Sequence, residues 1–475
     1  MLDGLVVCVD VGSTFTKAAA IDEAGAVVAT AQHPTTTGTD VLVGLDAAVG
    51  GLGLGRVPDS SIIACSSAGG GLRLAVVGHE RVISAEAARR VALSAGARVV
   101  AVSAGLLDDA GTAALAAAHP DVLLVVGGTD GGDVEVLLHN ARVLGRSKLR
   151  APVVLAGNAD GAAEAAGLLG VRRRVVLPTA NVIPRIGELH PGPARRAIRE
   201  VFIAHVIGGK GLSRGRRFPG LVACATPDAV LAGVEVVAEV LAGRPGASGD
   251  VMALDVGGAT TDVYSVLTPD DQAPEEAVAP LWHGRTVEGD LGMRWSAQDV
   301  VAAALGERML EPDAGGAAGS AEGLAAAAAV RRDIAFLPAT DAEMADELDL
   351  ARLAAVIAAR RHARPGTEGA RDLIHVGLLI GSGGVLRHAD PAAALEVLGH
   401  VLSDYSGGWR LPERARMIID HQYLLAPIGL LQMTGRPAVA RALAHQLTTP
   451  PPPGPARPPG PARPPGPARP PGPAR

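Results

Sequence analysis

Two short phrases hold the residues best suited to chemistry. Asp10-Val-Gly-Ser-Thr-Phe-Thr-Lys17 lies near the N-terminus, and Asp255-Val-Gly-Gly-Ala-Thr-Thr-Asp262 lies about halfway along. Each joins a carboxylate to a tight, hydroxyl-rich turn. The carboxylate suits a hydrated cation. The turn suits a phosphate, because glycine lets the backbone come close and several N–H groups can then point at one anion. Mg2+ matches this donor set, since it prefers oxygen, keeps several waters and bridges phosphates. Two such hairpins suggest two related half-structures gripping one nucleotide.

Strands must hold these turns in place. Apolar runs precede both phrases, Leu5 to Val9 and Val251 to Leu254, and strand-like runs follow them. Residues 5–32 read as three short strands, the third being Ala26 to Ala31. A helix is expected near Asp40 to Val49, then a strand, Ser61 to Cys65, that ends in Ser66-Ser-Ala-Gly-Gly-Gly71. Residues of about 85–205 change rhythm. Strands at 97–102, 122–126, 152–156 and 174–177 alternate with Ala-rich helices at 109–118, 133–144 and 161–169. That alternation implies a parallel, doubly wound module inserted between the two phrases. Two Gly/Asp turns, Gly127 to Asp133 and Gly157 to Asp160, fall at its carboxyl edge, where ligands of such sheets bind. The second half opens near Ala247 with a hairpin, 251–267. Helices at 297–310 and 348–361, a Gly-rich connection at 315–323 and a strand at 374–380 follow. That strand ends in Gly381-Ser-Gly-Gly384.

Bulk properties narrow the function class. A chain of 475 residues exceeds one hydrophobic core. Hydrophobic residues make up 48%, but aromatics only 2%, so an aromatic nucleic-acid platform is not expected. The 43 basic residues less the four arginines of the tail leave 39 against 49 acidic ones, so the body is acidic and not a general nucleic-acid binder. Cys8, Cys65 and Cys224 sit in apolar contexts without CxxC spacing and read as buried thiols of a reducing cytoplasm. No signal peptide and no apolar membrane span are expected. From Pro450 onward, Pro/Gly/Ala/Arg copies read as a disordered, polyproline-like basic tail.

Three Gly-rich turns in this order carry a resemblance. The Asp10 and Asp255 phrases resemble the two phosphate motifs of the actin, Hsp70 and sugar-kinase superfamily. Leu378-Leu-Ile-Gly-Ser-Gly-Gly-Val-Leu386 resembles its adenosine motif. A narrower resemblance covers most of residues 1–447. Cys65-Ser-Ser-Ala-Gly-Gly-Gly-Leu72, Val126-Gly-Gly-Thr-Asp-Gly-Gly-Asp133, Ala156-Gly-Asn158, Ala225-Thr-Pro-Asp-Ala-Val230 and the Asp255 phrase are similar to the MutL (GlmL) family associated with glutamate mutase, which is distinct from the mismatch-repair protein of similar name.

The resemblance implies two actin/Hsp70-like (RNase H-like) α/β ATPase lobes around a nucleotide cleft. The expected layout is lobe I at 1–84, an inserted α/β module at 85–205, a return to lobe I at 206–246, lobe II at 247–447 and the tail at 448–475. It also implies roles. Asp10 and Asp255 would order the shell of a Mg2+ and the attacking water. Gly12, Ser13, Thr14 and Lys17 would meet phosphate from one side, and Gly257, Gly258, Thr260 and Thr261 from the other. Gly381, Ser382, Gly383 and Gly384 would take the adenosine of ATP or ADP. The implied activity is that of an ATP-dependent reactivating chaperone for a coenzyme B12-dependent mutase, with release of damaged cobalamin. A small-molecule kinase of the same fold is the alternative, and a nucleotide-dependent scaffold a third. The expected partner is the mutase subunit, with a homo-oligomer allowed and neither nucleic acid nor membrane.

Other polar residues rank lower. Asp130, Asp133, Glu288 and Asp290 could act as bases or simply form turns. Ser66 and Ser67 could touch phosphate or cap a turn. His139, His205, His283 and His375 lack metal-ligand spacing. Gly208-Gly-Lys210 is not a Walker loop, because Gly211 stands where Ser or Thr is required. No Asp-x-His-x-x-Gly cobalamin motif is present.

Overall fold

A computed structural model describes residues 4–68, 72–80, 84–208, 211–245, 248–268, 283–312, 319–333, 336–364 and 371–449. The tail from Pro450, Gly209 and Lys210, and part of the expected 315–323 connection lie outside the described residues.

Strands form largely from the apolar runs. They are β1 (Val6–Val11), β2 (Phe15–Ile21), β3 (Val27–Pro34), β4 (Ile62–Ser66), β5 (Leu72–Gly78), β6 (Ala97–Ala104), β7 (Val122–Val125), β8 (Val153–Leu155) and β9 (Val176–Pro178). The later ones are β10 (Val222–Ala225), β11 (Val251–Val256), β12 (Thr261–Val266), β13 (His283–Glu288), β14 (Leu378–Ser382) and β15 (Arg416–Ile419). Four of these strands, β5, β10, β13 and β15, are not expected from the sequence, and β14 starts later than the expected 374–380.

They build three five-stranded sheets. The first runs β10-β4-β1-β2-β3 and the second β13-β12-β11-β14-β15. In the first, β1 pairs antiparallel with β2 and parallel with β4. In the second, β11 pairs antiparallel with β12 and parallel with β14. Numbered from its own first strand, each sheet has the order 3-2-1-4-5, the RNase H-like order of a duplicated α/β lobe. The third sheet is all parallel, β6-β5-β7-β8-β9. Its strand β5, which lies between β6 and β7, is upstream of residue 85, so the sheet draws on residues before the expected start of the insertion.

The cores are Ala, Val and Leu packing, as the scarcity of aromatics requires. Without large side chains, helices must approach closely. The helix Thr226–Ala242, which follows β10, crosses the helix Leu425–Met433, which follows β15. A Cβ on Gly233 would lie 2.0 Å from Leu425 O, and one on Gly429 would lie 1.8 Å from Ala229 O. The two helices therefore touch backbone to backbone at the junction of the lobes. Neither helix is marked in the sequence pattern. Both are apolar on nearly every face, so no amphipathic period marks them.

The parallel module is tied to the first of these helices. Arg195 and Arg199, on the helix Pro191–Val201, bind buried Asp228 at 3.4 and 2.7 Å, and Arg195 reaches Glu235 at 3.1 Å. Among the described residues, no helix is long and apolar enough to cross a membrane.

Candidate nucleotide site between two carboxylate hairpins

The β1–β2 hairpin sets Asp10 across from Lys17, and the β11–β12 hairpin sets Asp255 across from Asp262. The turns close alike. Gly12 N–H donates to Phe15 O at 3.1 Å, and Gly257 N–H donates to Thr260 O at 2.9 Å. A Cβ at Gly12 would sit 2.6 Å from Phe15 O, and one at Gly257 2.8 Å from Thr260 O. Only glycine allows these turns. The loops face each other, since a Cβ on Gly258 would meet Thr14 Cγ2 at 3.2 Å. Ser13 Oγ donates to Ser67 O at 3.4 Å, and Thr260 Oγ1 to Asp262 Oδ2 at 3.1 Å. Thr261 is turned inward: it is fully buried, and its hydroxyl donates to Leu291 O at 2.5 Å.

The two carboxylates have different surroundings. Asp10 is buried, and its Oδ1 accepts from Thr226 Oγ1 at 2.5 Å and from Cys65 Sγ at 3.5 Å. Its Oδ2 is buried without a hydrogen-bond partner, with Lys17 Nζ 3.5 Å away. Lys17 Nζ also lies 3.6 Å from the centroid of the Tyr423 ring, and Arg387 lies 5.4 Å from the same ring. Asp255 is partly buried and, among the described residues, has no such clamp. Burial pushes its carboxyl up to about 6, Asp262 and Asp10 push the same way, and Lys17 and Arg387 oppose them. A buried orphan oxygen and a destabilised carboxylate facing it suit a hydrated divalent cation. Two carboxylates with phosphate and water ligands are the usual Mg2+ arrangement.

The third Gly-rich turn joins this pair. Ser382 lies across from Asp255 in the β11–β14 register. Gly383 has φ +101°, and a Cβ there would lie 2.1 Å from Val256 O. This turn, with Gly381 before it and Gly384 opening the helix Gly384–His388, is thereby pressed against the end of β11.

Sequence gives some neighbours no place at the site, although Thr226 lies within the phrase Ala225 to Val230. Thr226 opens the lobe-junction helix with Pro227 behind it, a recognisable helix start. Tyr423 and Arg387 carry no local signal. Asp420, also unforeseen, caps the other junction helix by accepting from Leu424 N at 2.7 Å and Leu425 N at 3.1 Å.

The lower-ranked candidates hold structure. Asp290 and Glu288 bind Arg361 at 2.7 and 2.8 Å. Burial pushes Asp290 up, but the Arg361 guanidinium outweighs it and holds the carboxyl low. Asp130 Oδ1 accepts from Asn181 Nδ2 at 2.8 Å and from Ala159 N at 2.9 Å, which makes it a loop tie. Asp133 caps the following helix through Glu135 N. Ser66 Oγ accepts from Ala68 N at 3.2 Å, a turn bond. His139 bonds Leu107 O and His283 bonds Glu235, while His205 and His375 are exposed. No cluster of three or more His, Cys, Asp or Glu that could hold a metal occurs among the described residues. The three thiols are buried and free, and burial drives Cys8 up to about 12.

Comparison with known proteins gives a family. The family described as MutL protein matches residues 6–447. Protein MutL of Clostridium tetanomorphum is 34% identical over an alignment of 447 positions that covers 89% of this chain and 94% of that protein. Solved structures resemble it far more loosely. A glycerol dehydratase reactivase is 12% identical with a TM-score of 0.34, covering 90% of this chain and 99% of its own. A ROK family glucokinase from Streptomyces griseus, in complex with glucose and AMPPNP, is 14% identical with a TM-score of 0.32, covering 94% and 99%. A match over almost the full length, together with the paired hairpins, places the chain in the MutL protein family.

Proposed function

We propose that the protein is an ATP-dependent reactivating chaperone for a coenzyme B12-dependent mutase of the glutamate mutase kind. The observation that carries the reading is the pair of carboxylate hairpins, Asp10 and Asp255, facing each other beside the Gly381–Gly384 turn. In this reading Mg-ATP bridges the lobes. Asp10 and Asp255 hold the water shell of Mg2+, which neutralises phosphate charge. Gly12, Ser13, Thr14, Gly257, Gly258 and Thr260 line the phosphates, Lys17 adds a cation, and Gly381 to Gly384 take adenosine. Hydrolysis removes contacts that favour the closed cleft, and the lobes shift because the nucleotide binds the two states differently.

The inserted module supplies the surface that grips the mutase. The Arg195 and Arg199 ties to Asp228 and Glu235 support this, because a change at the lobe junction reaches the module through them. A grip that alternates between tight and weak would release damaged cobalamin. A kinase needs a free base near the acceptor. Asp290, the candidate for it, is occupied by Arg361, which favours the ATPase reading.

Mg-ATP hydrolysis by the purified chain, with and without a mutase holding inactive cobalamin, tests the proposal. Turnover stimulated by the mutase and lost in Asp255→Ala supports it. Turnover that appears only with a small hydroxyl acceptor replaces it with the kinase.

A further inference from the structure

Tyr423 holds a backbone conformation that a bulky residue avoids. Its φ is +57°, in the left-handed region that favours glycine. Such strain persists only where the surroundings enforce it, and it gathers at working sites. Tyr423 is also buried, at 6% exposure, just before the junction helix Leu425–Met433.

The enforcing contacts lead to the third Gly-rich turn. Tyr423 N–H donates to Asp420 O at 3.2 Å, and the next two N–H groups, of Leu424 and Leu425, donate to the Asp420 carboxylate at 2.7 and 3.1 Å. Asp420 N–H in turn donates to Gly381 O at 2.8 Å. Arg387 makes a second tie. Its N–H donates to Gly383 O at 3.0 Å, and its Nε donates to His421 O at 3.1 Å. The segment 420–425 is thus fastened to the Gly381–Gly384 turn at two points.

What this segment presents to the other lobe is an aromatic face. Lys17 Nζ lies 3.6 Å from the Tyr423 ring centroid and 3.5 Å from Asp10 Oδ2. Burial, Asp10 and Asp255 push the Tyr423 hydroxyl well up, so the ring stays neutral and attracts the ammonium through its π face. A cavity of about 240 Å³ adjoins the pair, and Asp10, Lys17, Arg387, His421 and Tyr423 are among its walls. Lysine has a long, rotatable stem, and beside such a space it needs a partner to stay in one place. A cation already in place loses less freedom when an anion arrives.

We propose that Tyr423 is a positioning residue: its ring, fastened to the Gly381–Gly384 turn of one lobe, fixes the ammonium of Lys17 in the other. This role rests on the nucleotide reading above. It couples the turn that takes adenosine to the cation that meets phosphate.

Mg-ADP affinity of the full chain, measured by calorimetry in a double-mutant cycle, tests the role. Lys17→Met should weaken Mg-ADP about tenfold, as loss of a charged contact does. Tyr423→Leu keeps an apolar side chain in the buried place and removes the π face. It should weaken Mg-ADP about fivefold in the chain with Lys17, and less than about twofold in Lys17→Met. Tyr423→Phe keeps the face and should bind within about twofold of the unsubstituted chain. Tyr423→Met, which also lacks a π face, replaces the leucine variant if that one does not fold. An equal loss from Tyr423→Leu with and without Lys17 makes Tyr423 merely structural and overturns the role. So does Tyr423→Phe binding as weakly as Tyr423→Leu, or Tyr423→Leu binding as well as the unsubstituted chain. Failure of the unsubstituted chain to bind Mg-ADP overturns the nucleotide reading itself, and this role with it.

Discussion

The two hairpins share a backbone and differ in charge. Asp10 has a cation across the strand, Lys17, and a hydroxyl and a thiol on its other oxygen. Asp255 has an acid across the strand, Asp262, whose own partner is Arg285 at 2.7 Å. The first carboxylate is thus a paired, buried anion. The second is held at about 6 and gains most from an incoming cation. The lesson is that duplication kept the turn, which backbone sterics enforce, and let the electrostatics diverge. In the proposed ATPase, one half orients and the other responds.

This contrast can be broken or sharpened by substitution. In the proposed ATPase, Asp255→Asn should cost about 100-fold or more in turnover, as loss of a preorganised electrostatic group does. Steady-state ATPase assays check this, and near-normal turnover would leave Asp10 as the working half. The lobe junction, where both halves meet, is tested by Gly429→Ala. Its new Cβ has no room beside Ala229 O, so stability should fall by roughly 1–3 kcal/mol in denaturant unfolding.

Stability should also separate the two carboxylates by sign. Asp10→Asn removes the anion that Lys17 and Thr226 bind, and should destabilise by about 1–2 kcal/mol at pH 8. Asp255→Asn should stabilise at the same pH. Equal signs would contradict the contrast.

The pH dependence follows from the raised value. Asp255 ionises at about 6 in the folded chain against 3.8 for the ordinary group. The folded state then keeps its full stability below about pH 4, and loses this contribution as pH rises through about 6. Asp255→Asn should flatten that window in thermal melts recorded from pH 4 to 8. In the same range kcat/KM for Mg-ATP should fall as pH drops below about 6, and Asp262→Asn should move the midpoint lower. The smallest effect is expected at Asp290→Asn, within about threefold in turnover, because this residue pairs with Arg361 and lies outside the proposed chemistry. A loss like that of Asp255→Asn would revive the kinase reading.

Legibility followed locality. The Asp10, Asp255 and Gly381 turns could be read because each packs its requirement into a few consecutive residues: a buried strand, then glycine where a Cβ would strike a carbonyl. The alternation of strands and helices after residue 85 was legible for the same reason. The helices Thr226–Ala242 and Leu425–Met433 were not, because burial on all faces erases periodicity. The strand β5 was not expected as a strand, and its place in the parallel sheet rests on its pairing with β6 and β7.

By itself, then, the sequence determined the turns, the doubled carboxylate motif, the Ala/Val/Leu cores and the family. Only the tertiary structure decided which groups surround each carboxylate. Thr226 reaches Asp10 across 216 residues, and Tyr423 reaches Lys17 through the capped start of the second junction helix. Such contacts depend on how helices cross and strands order. Ionisation at Asp255 depends in turn on the burial and charges those contacts create, and no short stretch of chain encodes them.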